Sequence, residues 1–345
     1  MMTPAGDPRQ QAQKRVGTTL NNKYHIDRLI DVGGMAAVYQ STHRNGKRVA
    51  IKMLHPFIAT NADVRERFLR EGYVANQVEH PGAVSILDDD MTQDGAPFLV
   101  MELLEGESLD QWMQRTKERL PLADVLAIAD QTLDVLSAFH AVNVIHRDIK
   151  PGNLFITKSG LVKVLDFGLA RLRDPRVSGA PTASGIVLGT ASYMPPEQAQ
   201  GKSDQIDARS DLFAVGAVMF RAITGRPIFE GRTPTDRLFQ AMKDRAPSLA
   251  SIIPEMPQFV TAVVDKALSF KKEDRFASAA DMRIAVRSTF AQLRDEAEVR
   301  QTVPTTSQVP VDDTSREVSA IFDAIMEPSV IVDLSFQTNG PPKNS

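Results

Sequence analysis

The chain contains 345 residues, with 43 acidic and 40 basic residues and a formal net charge of −3. This balance excludes the strongly basic surface typical of proteins that bind nucleic acid or anionic membranes, so we expect neither partner. The length exceeds what one small core requires and predicts two packed lobes or domains with some tail. Cysteine is absent, which excludes disulfides and makes a reducing, cytoplasmic location the default.

The first segment, residues 1–16, is polar, rich in Gln and without hydrophobic periodicity. It predicts a disordered leader, with order beginning near Tyr24. The segment lacks the apolar core of a signal peptide, and no uninterrupted run of about 18 apolar residues occurs in the chain. We therefore expect neither secretion nor a membrane span.

Strands are predicted next. Residues 24–53 predict strands, because Val49, Ile51 and Met53 alternate with Ala50 and Lys52. Asn45-Gly46 is a strong signal for a hairpin turn. Residues 62–78 predict a helix that places Glu71 on its apolar face, and residues 98–101 predict a short buried strand. The front of the chain therefore predicts a twisted antiparallel sheet with one helix.

Helical patterns dominate after Gly106. The predicted helices cover residues 107–117, 122–142, 208–224, 259–269 and 278–293. Two short apolar runs, residues 153–156 and 161–165, are joined by the turn-forming Ser159-Gly160 and predict a hairpin between the helices. The chain becomes polar from residue 294, so residues 294–345 predict a mostly flexible tail, with one amphipathic segment at 315–326.

Four motifs carry chemical information. HRDIKPGN occupies residues 146–153, DFG begins at Asp166, VAIK ends at Lys52, and PPE ends at Glu197. Their identity and order resemble the eukaryotic-like (Hanks-type) protein kinases, most closely the bacterial serine/threonine branch, and the resemblance covers most of the chain. It implies an α+β, two-lobed protein kinase fold with a small antiparallel β-sheet N-lobe at about residues 17–104 and a mainly helical C-lobe at about 105–293.

The catalytic loop supplies the residues nearest the chemistry. By resemblance, Asp148 accepts the proton of a substrate hydroxyl, and Lys150 contacts the γ-phosphate. A lysine at this position is typical of serine/threonine kinases and argues against tyrosine as acceptor. Asn153 and Asp166 are the implied magnesium ligands, because hard oxygen ligands suit Mg²⁺ and the predicted hairpin brings them together.

Lys52 resembles the lysine that holds the α- and β-phosphates of ATP. Taken alone, it would more simply be a surface lysine on a half-exposed strand. Glu71 favours the functional interpretation, because a carboxylate on the apolar face of the following helix would be costly without a partner. The sequence therefore predicts a Lys52–Glu71 ion pair.

The predicted nucleotide site departs from the family pattern at its phosphate-covering loop. The pattern G-x-G-x-x-G-x-V is replaced by DVGGMAAV at residues 31–38, with Asp31 and Ala36 at two glycine positions. Met101 resembles the gatekeeper that precedes the hinge. The remaining residues that the resemblance assigns to ATP are Ile30, Gly33, Gly34, Val38, Ala50, Glu102 and Leu104.

The segment between Asp166 and Glu197 resembles an activation segment. Thr182 and Ser184 lie where bacterial relatives autophosphorylate, and a phosphate there would pair with Arg147. The resemblance also implies that Thr190 lies against Asp148. It implies in addition a Glu197–Arg275 pair and an Asp211 carboxylate that anchors the catalytic loop, although an aspartate at this position also suits a helix cap.

Together these motifs predict a serine/threonine kinase that uses ATP and Mg²⁺, acts on protein substrates and self-associates for autophosphorylation. Three alternatives are weighed against it. A pseudokinase is suggested by Asp31 and Ala36, a small-molecule phosphotransferase shares the catalytic Asp and Asn, and a scaffold would act through residues 294–345.

Overall fold

The computed structural model of the chain describes residues 7–117, 119–167 and 190–302, without the side chains of Glu71, Thr190 and residues 297–302. An antiparallel sheet dominates the N-terminal part and helices dominate the C-terminal part, which confirms the predicted two-lobed α+β fold. Each part has its own cluster of buried apolar side chains.

The N-lobe sheet has six strands in the order β1-β2-β3-β4-β6-β5. Their bounds are β1 Thr19–Leu20, β2 Tyr24–Val32, β3 Ala36–His43, β4 Arg48–Leu54, β5 Ile86–Met91 and β6 Pro97–Glu102. Helices α2 (Pro56–Ala59) and α3 (Ala62–Ala75) connect β4 to β5. Gly46, with φ of 89°, occupies the left-handed region within the β3–β4 turn, as its hairpin signal predicts.

The C-lobe is built around two buried helices, α5 and α7, which contact each other and α11, the last helix of the described residues. The helix bounds are α4 Leu109–Thr116, α5 Leu122–Ala141, α6 Pro196–Ala199, α7 Ala208–Thr224, α8 Pro234–Lys243, α9 Leu249–Ile252, α10 Gln258–Ala267 and α11 Ala279–Thr302. Single 3-10 turns cover Pro151–Asn153, Thr190–Tyr193, Ser203–Gln205 and Lys272–Asp274.

A small second sheet carries the predicted hairpin. Its strands are β7 (Gly106–Ser108), β8 (Leu154–Thr157) and β9 (Val162–Val164), in the order β7-β8-β9. The predicted helix 107–117 therefore begins two residues late, because its first residues pair with β8 instead. Gly106 permits this pairing, since a Cβ there would lie 2.0 Å from the Ile156 carbonyl oxygen.

The expectation of a disordered leader through residue 16 is wrong for residues 7–16. Helix α1 (Pro8–Gln13) is capped by Asp7, whose carboxylate accepts from the Arg9 N–H. Ala12 is buried, and its carbonyl accepts from the Tyr39 hydroxyl at 3.2 Å. Order thus begins before Tyr24, because contacts with the sheet stabilise a helix too short to be stable alone.

The predicted boundary of the tail at residue 294 is also wrong, because α11 continues to Thr302. Residues 303–345, which include the predicted amphipathic segment, lie outside the described residues. None of the helices in the described part of the chain is long and apolar enough to cross a bilayer.

Candidate active site

The catalytic loop is anchored by the carboxylate of Asp211, which is fully buried in the first turn of α7. Its oxygens accept from the backbone N–H of His146 at 2.8 Å and of Arg147 at 2.7 Å, and from the His140 ring at 2.8 Å. Arg147 adopts a φ of 64°, an unfavourable value for a non-glycine residue. The helix cap is Asp207, so Asp211 serves as the loop anchor and not as the cap.

Asp148 follows directly and lies at the centre of a polar cluster. Its side chain is 3% exposed, and the Lys150 ammonium donates to Oδ2 at 2.9 Å. The Asn153 amide nitrogen donates to the Asp148 carbonyl at 2.8 Å and to Oδ2 at 3.2 Å. Because its nitrogen is held in this way, the amide oxygen of Asn153 remains the atom suited to a cation.

The β8–β9 hairpin brings Asn153 and Asp166 to neighbouring positions, as the sequence predicts. The two strands pair in register, and the Leu165 N–H donates to the Asn153 carbonyl just beyond the ladder at 2.8 Å. Asp166 has a φ of 60°, so the backbone turns sharply there. Phe167 then stacks on Phe139 with ring centroids 3.6 Å apart, which fixes the chain on the far side of that turn.

The Lys52 ammonium lies 2.5 Å from Oδ1 of Asp166 and links the N-lobe sheet to the hairpin. Burial alone would raise the pKa of the Asp166 carboxyl, but the Lys52 charge and hydrogen bond hold this pKa below its ordinary value. Asp166 is therefore an anion at neutral pH, with about a third of its side chain (34%) still exposed. The predicted Lys52–Glu71 pair stays a prediction, because the Glu71 side chain lies outside the described residues.

A cavity of about 490 Å³ lies between the lobes beside this ion pair. Most of the side chains predicted to contact a nucleotide line it: Ile30, Val38, Ala50, Lys52, Met101, Glu102, Leu104, Asn153 and Asp166. Lining residues that the sequence analysis missed include Leu99, Phe155 and Val164. Phe155 alternates with buried residues along β8, which was a usable signal, whereas Leu99 and Val164 lie in continuously buried runs that do not distinguish one face from the other.

Gly33 and Gly34 are not among the residues that line the cavity. They lie in the turn between β2 and β3, which is closed by a 2.9 Å hydrogen bond from Gly33 N–H to the Ala36 carbonyl. Asp31, in contrast, does line the cavity, as expected from its place in the phosphate-covering loop. Its carboxylate accepts from the Val32 N–H at 2.7 Å.

The side chain of Glu102 has a structural contact that the sequence analysis missed. Its Oε1 accepts from Lys163 of β9 at 2.7 Å and from the Ser85 N–H at 2.9 Å. Lys163 also donates to the Ala83 carbonyl at 3.0 Å. The residue predicted to present its backbone to adenine is thus held by its side chain to the strand that precedes Asp166.

The predicted ion pair between Glu197 and Arg275 is present and buried. Arg275 donates to both carboxylate oxygens of Glu197 at 2.8 and 2.9 Å, and the Ser210 hydroxyl adds a third bond at 2.7 Å. Burial opposes ionisation of Glu197, yet the Arg275 pair keeps its pKa below the ordinary value. The neighbouring Gln198 donates to the Arg147 carbonyl at 3.0 Å, which connects this pair to the loop.

Thr182 and Ser184 lie outside the described residues, as does the last residue of the DFG motif. The Thr190 backbone is described but its side chain is not.

The donor set suits magnesium better than a metal held by protein alone. Within the described ranges, no three His, Asp or Glu side chains cluster closely enough to hold a metal by themselves. One carboxylate from Asp166 and one amide oxygen from Asn153 are what Mg²⁺ uses when nucleotide phosphates and waters supply the remaining ligands.

Comparison with known proteins identifies the family. Residues 24–289 match the family model described as the protein kinase domain. The chain belongs to the protein kinase family.

Curated relatives and solved kinases agree with this assignment. The kinase resembles the serine/threonine-protein kinase Pkn1 of Myxococcus xanthus, with 34% identity over 84% of this chain and 41% of the relative. It is 36% identical to the serine/threonine-protein kinase PknA of Mycobacterium tuberculosis over 79% of this chain and 63% of the relative. The chain therefore spans less than two thirds of the length of either.

The fold comparison covers most of this kinase. The crystal structure of the Mycobacterium tuberculosis PknI kinase domain superposes with a TM-score of 0.61 at 25% identity. The match spans 79% of this chain and 98% of that domain.

Proposed function

We propose that this kinase transfers the γ-phosphate of Mg-ATP to serine or threonine hydroxyls of proteins. The observation that carries the proposal is that two lysine–aspartate ion pairs lie at one cleft. Lys52 contacts Asp166 at 2.5 Å on the cavity wall, and Asn153 and Lys150 both contact Asp148 beside it. The names of the curated relatives, all serine/threonine-protein kinases, support the same activity.

In the proposed reaction the substrate hydroxyl oxygen attacks the γ-phosphorus. The new O–P bond forms as the bond from the γ-phosphorus to the bridging oxygen of ADP breaks, and the hydroxyl proton passes to Asp148. Lys150 places positive charge beside that carboxylate, where it can contact the transferred phosphoryl group. Because this transition state is loose, the residues contribute mainly alignment and charge.

Magnesium, when bound, would neutralise charge on the phosphates, and its protein ligands would be Asp166 and Asn153. The low pKa of Asp166 keeps this ligand ionised across the physiological range. Lys52 is then the counterion that Asp166 has before nucleotide binds, and the α- and β-phosphates would compete for the same ammonium group. Glu71 is the partner proposed for Lys52 in that state.

The choice of acceptor follows from Lys150. A lysine two residues after the aspartate is typical of serine/threonine kinases, and here it donates to the Asp148 carboxylate at 2.9 Å. Thr190 is proposed to lie against Asp148 from the activation segment.

Autophosphorylation at Thr182 and Ser184 is part of the proposal. A phosphate there would carry about −1.5 to −2 charge at neutral pH and would pair with Arg147. One molecule phosphorylating another would require transient self-association. A cytoplasmic location accords with the absence of cysteine from the sequence.

The test is incubation of the purified chain with labelled Mg-ATP and a generic acceptor protein, followed by phosphosite mapping. We expect phosphoserine and phosphothreonine in the acceptor and phosphate on Thr182 or Ser184. Asp148→Asn should lower transfer by orders of magnitude with ATP binding retained, whereas Lys52→Met should impair both. Asp244→Asn, an exposed aspartate that follows α8, is the matched control and should be fully active.

Phosphotyrosine as the main product would contradict the acceptor class. Equal activity of wild type and Asp148→Asn would contradict the mechanism. Full activity with both loop residues unmodified would remove only the autophosphorylation step.

A further inference from the structure

One residue ties the phosphate-covering turn to the rest of the sheet. His55 follows the last residue of β4, and its ring Nε2 lies 2.9 Å from the Gly33 carbonyl oxygen. Its backbone N–H donates to the Met35 carbonyl at 2.8 Å. The three-residue turn between β2 and β3 is therefore held at both ends by a single neighbour.

The bond from the ring is well defined chemically. A carbonyl oxygen can only accept, so Nε2 of His55 must carry the hydrogen, whether the ring is neutral or protonated. The residue is 4% exposed, and its ring stacks on Phe57 with centroids 5.4 Å apart and planes inclined by 10°. Burial and stacking leave the ring few alternative orientations, so the bond to Gly33 costs little side-chain entropy.

The two faces of the sheet show the direction in which this bond acts. Alternate residues of β3 and β4, such as Val38 and Lys52, line the nucleotide cavity. The residues between them, such as Tyr39 and Met53, face α1, and His55 lies on that same α1 side. The Gly33 carbonyl is thus drawn toward the face opposite the cavity.

The next amide must point the other way. The peptide unit is planar and trans, so its C=O and N–H are directed oppositely. With the Gly33 oxygen held on the α1 side, the Gly34 N–H is directed toward the cavity side. Backbone amides presented in this way are the groups with which glycine-rich turns bind phosphate.

We propose that His55 is a positioning residue for the nucleotide phosphates. It holds the Gly33–Gly34 peptide with its N–H toward the cleft before ATP binds. This inference rests on the proposed ATP-dependent function.

Two substitutions separate the hydrogen bond from the stacking. His55→Phe keeps an aromatic ring beside Phe57 but has no donor, whereas His55→Gln keeps an N–H that can reach Gly33 but loses the ring. We expect His55→Phe to raise KM for ATP by about three- to tenfold, the value of one modest hydrogen bond, with kcat nearly unchanged. The KM for ATP of His55→Gln should lie within about twofold of the wild-type value, because the hydrogen bond to Gly33 is kept. Phe57→Leu is the control that removes the stacking partner and leaves the donor.

A binding measurement makes the test independent of phosphoryl transfer. ATP and adenosine are titrated against each variant in an Asp148→Asn background by calorimetry. We expect His55→Phe to weaken ATP binding and leave adenosine binding unchanged, because only ATP reaches the turn with phosphates. Equal weakening of both ligands, or unchanged ATP affinity in His55→Phe, would overturn the proposal. If transfer itself fails in wild type, the proposed function falls, but this comparison still decides the role of His55.

Discussion

The buried Glu197–Arg275 pair supports a quantitative prediction about stability. The Arg275 side chain is fully buried and that of Glu197 is 7% exposed, so neither charge has access to enough water to replace its partner. Glu197→Gln keeps the shape of the side chain but removes its charge. The guanidinium would then have only neutral acceptors: the new amide oxygen and the carbonyl oxygens of Ser269, Arg209 and Phe270 at 2.9 to 3.3 Å.

Removal of one partner from a buried ion pair costs about 3–5 kcal/mol. Because those three carbonyls still accept from Arg275, we expect Glu197→Gln to lie at the lower end, at about 3 kcal/mol. A domain is stable by only about 5–15 kcal/mol, so the loss should be obvious. Urea unfolding followed by circular dichroism measures it, and kinase activity should fall in parallel because Gln198 connects this region to the catalytic loop.

A matched control is Glu105→Gln, which removes a carboxylate paired with Lys158 and Arg48 on the surface. Exposed pairs contribute little, so the urea midpoint should not change measurably. If Glu197→Gln lost less than about 1 kcal/mol, our assignment of this pair as a major support of the C-lobe would be refuted.

The same pair predicts a pH dependence. The pKa of Glu197 in the folded state lies below its ordinary 4.5, because Arg275 outweighs the effect of burial. A depressed folded pKa contributes stability that is fully present above 4.5 and is lost as the pH falls through the lower folded value. The stability difference between wild type and Glu197→Gln should therefore shrink below pH 4.5.

Three further predictions concern other parts of the fold. Asp211→Asn should reduce kcat by about tenfold or more, because the single amide oxygen cannot replace both carboxylate oxygens that accept from the loop N–H groups, and one unpaired buried N–H costs about 1–3 kcal/mol. Steady-state kinetics measures this effect, and a wild-type kcat would contradict it. Phe139→Ala should cost about 3–5 kcal/mol in urea unfolding, since it removes the buried ring stacked on Phe167, and a loss below about 1 kcal/mol would argue against that stack. Deletion of residues 1–16 should lower the free energy of unfolding by about 1–3 kcal/mol, because the buried Tyr39 hydroxyl loses its acceptor; an unchanged urea midpoint would instead support a leader that contributes nothing.

The sequence alone was sufficient for the fold class, through the resemblance of its motifs, and for fewer than half of the residues that line the cleft. The catalytic loop and the hairpin after it lie within about twenty consecutive residues, and a β-ladder of known register brings their ends together without information from elsewhere. Helix and strand types were also predicted, because each follows a periodic pattern over many residues. The predictions failed at residues 7–16, at 107–108 and beyond 293, and they missed β5 and α8 entirely. Local propensity competes there with strand pairing or with packing against distant residues.

Only the tertiary structure decided which distant side chains meet. Lys52 contacts Asp166, Lys163 holds Glu102, and His55 holds Gly33, and none of these contacts leaves a periodic trace in the sequence. Helix α1 shows the same limit, because its order depends on contacts that residues far along the chain provide. The physical reason is that a local sequence pattern indicates only which face of a helix or strand is apolar. The partner of a buried polar group depends on how several elements pack together, and no single segment of the sequence determines their relative positions.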